Sequence, residues 1–234
     1  MAAGDFIPFR QFKLDLGNKI HDLDSDTWKV GVITSAVTPA ATDAAPHWGG
    51  TGTTNYATNQ VTPGGNYADG GPSLASVSYA ASTNSASGAT TNAAGYAIGA
   101  TSITLAAAGT GAIAAGETVQ FAGDLSIYLV KTGVANVAAG GTLEIHGGLN
   151  KAIAASATNI TQTPSVQWKA QKISIAQDAA NPTNARWGIV YNSTDANKRA
   201  AGIIDFGSAR DLSAGLFEHK FNAVDGVGTM ITLP

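Results

Sequence analysis

The sequence predicts an all-β protein, on three observations. Apolar residues recur at every second position in several segments. Gly, Pro, Asn, Asp and Thr separate those segments. No stretch carries a sustained 3.6-residue apolar repeat. Alternation at period two marks a half-buried strand, because successive side chains point to opposite faces of a sheet. The expected architecture is a β-sandwich or β-barrel-like main domain with an inserted small β module.

The elements follow in chain order. Phe12, Leu14 and Leu16 alternate with Lys13 and Asp15; Trp28, Val30 and Val32 alternate with Lys29 and Gly31. Two strands are therefore expected around the acidic turn Asp22-Leu23-Asp24-Ser25-Asp26. Residues 46–94 are rich in Gly, Thr, Ser, Asn and Ala, with Asp69 their only charge, and read as an extended low-complexity segment with one candidate strand at 74–79. Residues 95–158 form a compact unit of their own, with strands expected at 101–105, 117–121, 126–131 and 142–146 between glycine-marked turns. One or two helical turns could fit at 150–157. Longer aromatic strands then return: Val166, Trp168 and Ala170, continued by Ile173 and Ile175; Trp187, Ile189 and Tyr191; and Phe217, His219 and Phe221. The expected layout is a discontinuous main domain, residues 1–94 and 159–234, with residues 95–158 inserted. An insertion within a strand pair costs little, because closure entropy grows slowly with loop length.

Composition narrows the function. Asp, Glu, Lys and Arg make up 12% of the chain, about half the usual share. The absence of cysteine excludes a disulfide scaffold, Cys-ligated zinc, iron–sulfur clusters and thiol catalysis. No Lys or Arg lies between Lys29 and Lys131, so nearly half the chain offers nothing to a phosphate backbone and no nucleic-acid partner is expected. Apolar runs such as 103–108 and 125–130 are too short to span a bilayer, and the first ten residues lack the basic-then-apolar pattern of a secretory signal. No membrane partner is expected.

The candidate chemical motifs reduce to structure. Asp22, Asp24 and Asp26 have the spacing that opens a calcium loop, but Thr27 and Ile33 stand where such a loop needs Gly and Glu. An acidic solvated turn explains them. His21, His47, His146 and His219 are far apart and match no zinc spacing; His219, between Phe217 and Phe221 on one strand face, is expected to be partly buried. No Gly-x-Ser-x-Gly elbow is present, no acid pair is marked for glycoside chemistry, and Gly109-Thr110-Gly111 lacks the lysine of a phosphate loop. No catalytic residue, cofactor or metal is assigned, and the protein is expected not to be an enzyme. Phe6, Ile7 and Phe9 read either as a first strand packed on its own core or as an arm docking on a neighbouring subunit; Pro8 suits an edge or an arm. Trp48, Tyr56 and Tyr67 are aromatics in a polar segment. With Phe6, Ile7 and Phe9 they complete the candidate subunit-contact set.

Several segments carry a resemblance. Residues 13–17 (Lys-Leu-Asp-Leu-Gly), the turn 22–26 and the following Thr27-Trp28-Lys29-Val30-Gly31-Val32 resemble the start of a family of small tailed-bacteriophage virion proteins. Val166-Gln167-Trp168, Ala185-Arg186-Trp187-Gly188-Ile189-Val190-Tyr191, Gly202-Ile203-Ile204-Asp205-Phe206-Gly207 and Met230-Ile231-Thr232-Leu233 are similar to its C-terminal part. These cover roughly half the chain. Residues 99–105 and 113–124 resemble a small β module found as an insert in phage head proteins, with Glu117 where Asp is usual. The resemblance implies a capsid decoration (cement) protein on the virion surface, commonly a homotrimer. Its partners would be the major capsid protein and copies of itself, and it would be made in the host bacterial cytoplasm. A tail-tube or tail/head-fibre structural subunit is the alternative. A carbohydrate-binding β protein, resting on Trp48, Tyr56 and Tyr67 as surface aromatics, is the third reading.

Overall fold

The structure, a computed structural model, describes residues 5–82, 86, 89–91, 95–154, 158–223 and 226–233. It is all-β, with several antiparallel sheets, and Arg10–Gly17 is the one α-helix among the described residues. The chain divides into two compact units: Met1–Ser78 with Lys169–Gly228, and Tyr79–Trp168 with Thr229–Pro234.

The first unit is built on a four-stranded antiparallel sheet in the order Phe6–Pro8, Ala200–Arg210, Ala185–Asn192, Trp28–Ile33. Trp28–Ile33 pairs along its length with Ala185–Asn192, Trp28 opposite Asn192 and Ile33 opposite Trp187. Trp28, Val30, Val32 and Ile33 are buried, as befits a strand covered on both faces. Gly31 is required by its neighbour: a Cβ there would lie 2.3 Å from the Trp48 ring.

Residues 10–17 depart from the expected strand. The sequence Phe-Lys-Leu-Asp-Leu satisfies period two, but Phe9, Phe12 and Leu16 also satisfy the i, i+3, i+7 spacing of a helix face. The helix prevails: Phe12 and Asp15 turn inward while Leu14 is 54% exposed. Gln11 Nε2 donates to Asp15 Oδ1 one turn on, at 2.8 Å, and Phe12 meets Trp28 edge-on with ring centroids 6.1 Å apart.

The low-complexity segment also differs from expectation. Up to residue 74 it is folded onto the first unit rather than extended. Its backbone lies along the outer edge of Trp28–Ile33: Val30 N donates to Pro72 O (2.9 Å), Leu74 N to Trp28 O (2.8 Å), Val61 N to Val32 O (3.1 Å) and Thr34 N to Asn59 O (3.1 Å). Leu74 is a strap residue, and the strand expected at 74–79 instead spans Ser78–Ala81. Phe221, expected to continue its strand, opens a 3₁₀ turn after Phe217–His219. Residues 150–154 are not helical: Ile153 pairs with Tyr96, and 155–157 lie outside the described residues.

The second unit holds a six-stranded antiparallel sheet in the order Ala89–Thr90, Asn159–Thr163, Thr118–Phe121, Tyr128–Thr132, Gly141–Ile145, Ser102–Leu105. A bridge between Thr91 and Leu105 joins its two edges, so the sheet closes on itself as a small barrel. Alternate residues fill the interior: Ile103, Leu105, Val119, Phe121, Val130, Leu143, Ile145 and Ile160 are almost wholly buried, the inward half of a period-two pattern. A further three-stranded sheet has the order Val227–Leu233, Val166–Gln171, Ser78–Ala81.

Candidate functional site

Four of the six candidate contact residues are core residues of the first unit. Phe9 stacks on Tyr56 (ring centroids 5.8 Å), and the Tyr56 hydroxyl donates to Asp43 Oδ2. Trp48 lies flat on Tyr191, centroids 5.3 Å apart and planes 10° from parallel. The Tyr67 hydroxyl accepts from Val32 N at 2.8 Å. Burial, the dominant cause at both phenols, pushes the pKa of Tyr56 and Tyr67 up. These rings anchor residues 46–74 to the sheet. Trp48, Tyr56 and Tyr67 are therefore not a surface platform, which removes the support for the carbohydrate reading. Phe6 and Ile7 are half-buried in the edge strand opposite Ile204 and Ile203.

The acidic turn is held by its own carboxylates. Asp22 Oδ1 accepts from Asp24 N (3.0 Å) and Ser25 N (3.1 Å). Asp26 Oδ2 accepts from Asp22 N (2.9 Å) and from Asn192 Nδ2 (2.6 Å). The bonds from Ser25 and Asp24 hold the Asp22 carboxyl below its usual range. Among the described residues no group of three or more His, Asp or Glu gathers to hold a metal ion.

His21 sits between Phe12 and Trp28, with centroids 5.5 and 5.3 Å away. Its Nδ1 is 3.0 Å from Asn192 Nδ2, which assigns Nδ1 as acceptor, and its Nε2 is 3.8 Å from Asp15 Oδ2. Desolvation lowers its pKa against the raising pull of Asp15, Asp195 and Asp26. This resembles a catalytic dyad in composition only: the His21 side chain is wholly shut from solvent, so no substrate reaches it. His219 is packed against Phe221 (5.2 Å) and Phe206 (6.0 Å), and burial lowers its pKa to about 4. It lines a cleft of about 450 Å³ with Asp205, Phe206, Arg210, Leu216 and Phe217. Two of its charged groups, Asp205 and Arg210, are committed to the fold, whereas His219 Nε2 is buried without a hydrogen-bond partner. Desolvation would raise the Asp205 pKa, but hydrogen bonds from Arg186 and Gly207 N outweigh it and hold the carboxyl below its usual range. The Arg210 guanidinium is tied to the Phe206 carbonyl at 3.0 and 3.2 Å. In the barrel, Glu117 closes a turn: its Oε2 accepts from Ala114 N at 2.6 Å and from Gln162 Nε2.

What sequence reasoning missed is a loop at residues 123–127 of the barrel. Leu125 there is 94% exposed and Ile127 46%, and the strand expected at 126–131 instead spans Tyr128–Thr132. The loop is clamped. Asp124 Oδ1 accepts from Ser126 N (2.9 Å), and Asp124 Oδ2 from the Tyr128 hydroxyl (2.5 Å). That hydroxyl accepts in turn from Asn150 N (2.9 Å), and Lys151 Nζ donates to Gly123 O (2.5 Å). The one sequence signal is Gly-Asp ahead of the run: Gly123 takes φ +80° and the acid caps the turn. Four interlocking hydrogen bonds around one outward leucine leave a preorganised apolar knob.

Among the described residues no helix is long and apolar enough to cross a membrane. No family model, no curated protein and no solved structure matches this chain.

Proposed function

We propose that the chain is a non-enzymatic structural protein of a tailed-phage virion, bound to the outside of the capsid and cementing its capsomers. The observation that carries the reading is Leu125, an almost fully exposed leucine on the clamped barrel loop. The sequence resemblance of both flanks and of the barrel module supports the same reading. A cement protein needs no chemistry. It binds the assembled shell and not its dissociated parts, so each occupied site stabilises the shell by mass action. A rigid apolar knob suits that task, since the loop has little conformational freedom left to lose on binding. Burial of a leucine side chain contributes about 1.5–3 kcal/mol.

The test uses purified protein and capsids stripped of it. Wild-type protein is expected to rebind the shells and raise their resistance to heat, while Leu125→Asp, folded and otherwise unchanged, binds about 10-fold or more weaker. No rebinding by wild-type protein overturns the reading, and tubes or rings of the isolated protein in electron micrographs would move it to the tail.

A further inference from the structure

We propose that the cleft lined by His219 in the first unit binds a zwitterionic small molecule, an α-amino acid with an aromatic side chain. The observation behind it is which charges on the cleft walls the fold has answered and which it has not. The Asp205 carboxylate is paired with Arg186. Glu218 is paired with Lys172 at 2.7 Å. Arg210 and Asp211 remain, one charge of each sign, and among the described residues neither has an ion-pair partner.

Both of these charges are nevertheless fixed in place. Arg210 is committed to the Phe206 carbonyl through Nε (3.2 Å) and Nη2 (3.0 Å), which leaves its Nη1 donors and its charge unused. Asp211 Oδ1 accepts from Ser213 N (2.8 Å) and from the Ser213 hydroxyl (2.6 Å). These bonds hold the carboxyl below its usual range, so it stays ionised. A ligand carboxylate suits the fixed guanidinium, and a ligand ammonium suits the fixed carboxylate. Partners held in advance lose little freedom on binding. The cleft also has apolar surface that the fold leaves uncovered. Leu216 is 61% exposed, and Phe217, edge-on to Phe206 at 5.0 Å, is only half-buried. An aromatic ring packs well on such a wall. His219 is the second, independent sign of a ligand. It is 7% exposed on the cleft wall, its Nε2 has no hydrogen-bond partner, and a buried polar atom left unpaired costs free energy. Burial keeps its imidazole uncharged at neutral pH, so it leaves the balance between Arg210 and Asp211 undisturbed. The volume, about 450 Å³, lies within the range of small-ligand sites.

The test is independent of shell binding and uses the isolated full-length protein. In calorimetric titration L-phenylalanine is expected to bind saturably. Hydrocinnamate, which lacks the ammonium, and phenethylamine, which lacks the carboxylate, should each bind about 10-fold or more weaker. Asp211→Asn keeps an acceptor for Ser213, and should bring phenylalanine down to the level of hydrocinnamate without weakening hydrocinnamate itself. Arg210→Gln should do the same against phenethylamine. Both variants are expected to keep the circular dichroism of wild type, since both side chains are exposed. In NMR spectra the ring signals of His219 should shift on titration while those of His21, His47 and His146 stay. Equal binding of the three compounds, discrimination unchanged in both variants, or no saturable binding at millimolar L-phenylalanine overturns the proposal. If the amino acid binds but the protein does not rebind shells, the cleft assignment stands and the cement reading falls; rebinding of shells without amino-acid binding gives the reverse.

Discussion

The four-stranded sheet of the first unit and the six-stranded sheet of the second meet the same difficulty, unpaired strand edges, by different means. The barrel joins edge to edge, so its hydrogen bonds are completed by its own strands and its core is spread over many side chains of similar weight. The first unit borrows a strap. Residues 59–74 lie along Trp28–Ile33, and a few aromatics, Trp48, Tyr56 and Tyr67, fasten that region down. Closure distributes stability, whereas strapping concentrates it in a handful of anchors.

The comparison breaks most easily at Trp48. Trp48→Ala removes the ring that stacks on Tyr191 and covers Gly31, and should cost about 3–5 kcal/mol in chemical denaturation. Hydrogen exchange should show the amides of Val30, Val61 and Leu74 losing protection while Val130 and Ile145 in the barrel keep theirs. Equal loss in both units would mean that the strap is not a separate source of stability.

Acid should separate the units next. His219 is buried in the first unit with its pKa lowered to about 4. A histidine with a depressed folded-state pKa contributes stability that is complete above its unfolded value near 6.5 and is lost as pH falls from there toward 4. The loss is on the order of 3 kcal/mol. His21, also lowered, acts in the same direction. Urea midpoints followed by Trp fluorescence should fall across this window, and His219→Phe should flatten the fall. A midpoint unchanged between pH 7 and 4 would contradict the burial of His219.

The smallest expected effect is in the barrel. Tyr128→Phe removes the hydroxyl that donates to Asp124 and accepts from Asn150 N, at about 1 kcal/mol. Its sharper readout is local: order parameters for residues 123–127 should drop while the barrel strands hold theirs. No change in the loop would show that the remaining bonds fix Leu125 without the tyrosine.

Where the sequence was legible, one physical constraint acted alone. Ser102–Leu105 alternates because it presents one face inward, and it is a strand; Trp187-Gly-Ile-Val-Tyr191 is a strand too, buried at every position and marked by its run of aromatic and β-branched residues. Residues 12–16 were misleading because so short a run fits two periods, and the contact of Phe12 with Trp28 decides between them. The strap was hidden for a different reason. Its Gly, Thr and Asn content describes a polar loop, but three aromatics at irregular spacing carry its attachment, and irregular spacing leaves no periodic signal. Leu125 was not singled out because it stands just outside the strand expected at 126–131 and an apolar residue beside an apolar run carries no signal of exposure; the capped turn before it aims it outward.

The pairing of Trp28–Ile33 with Ala185–Asn192 has a consequence in time. On a ribosome the first of these strands emerges long before the second exists, about ten seconds or more at ~5–20 residues per second. The barrel, whose strands come from one continuous stretch between them, can close in that interval. Trp28–Ile33 must wait without its partner strand, and the strap at residues 59–74, which emerges well before Ala185–Asn192, is able to shield its edge in the meantime.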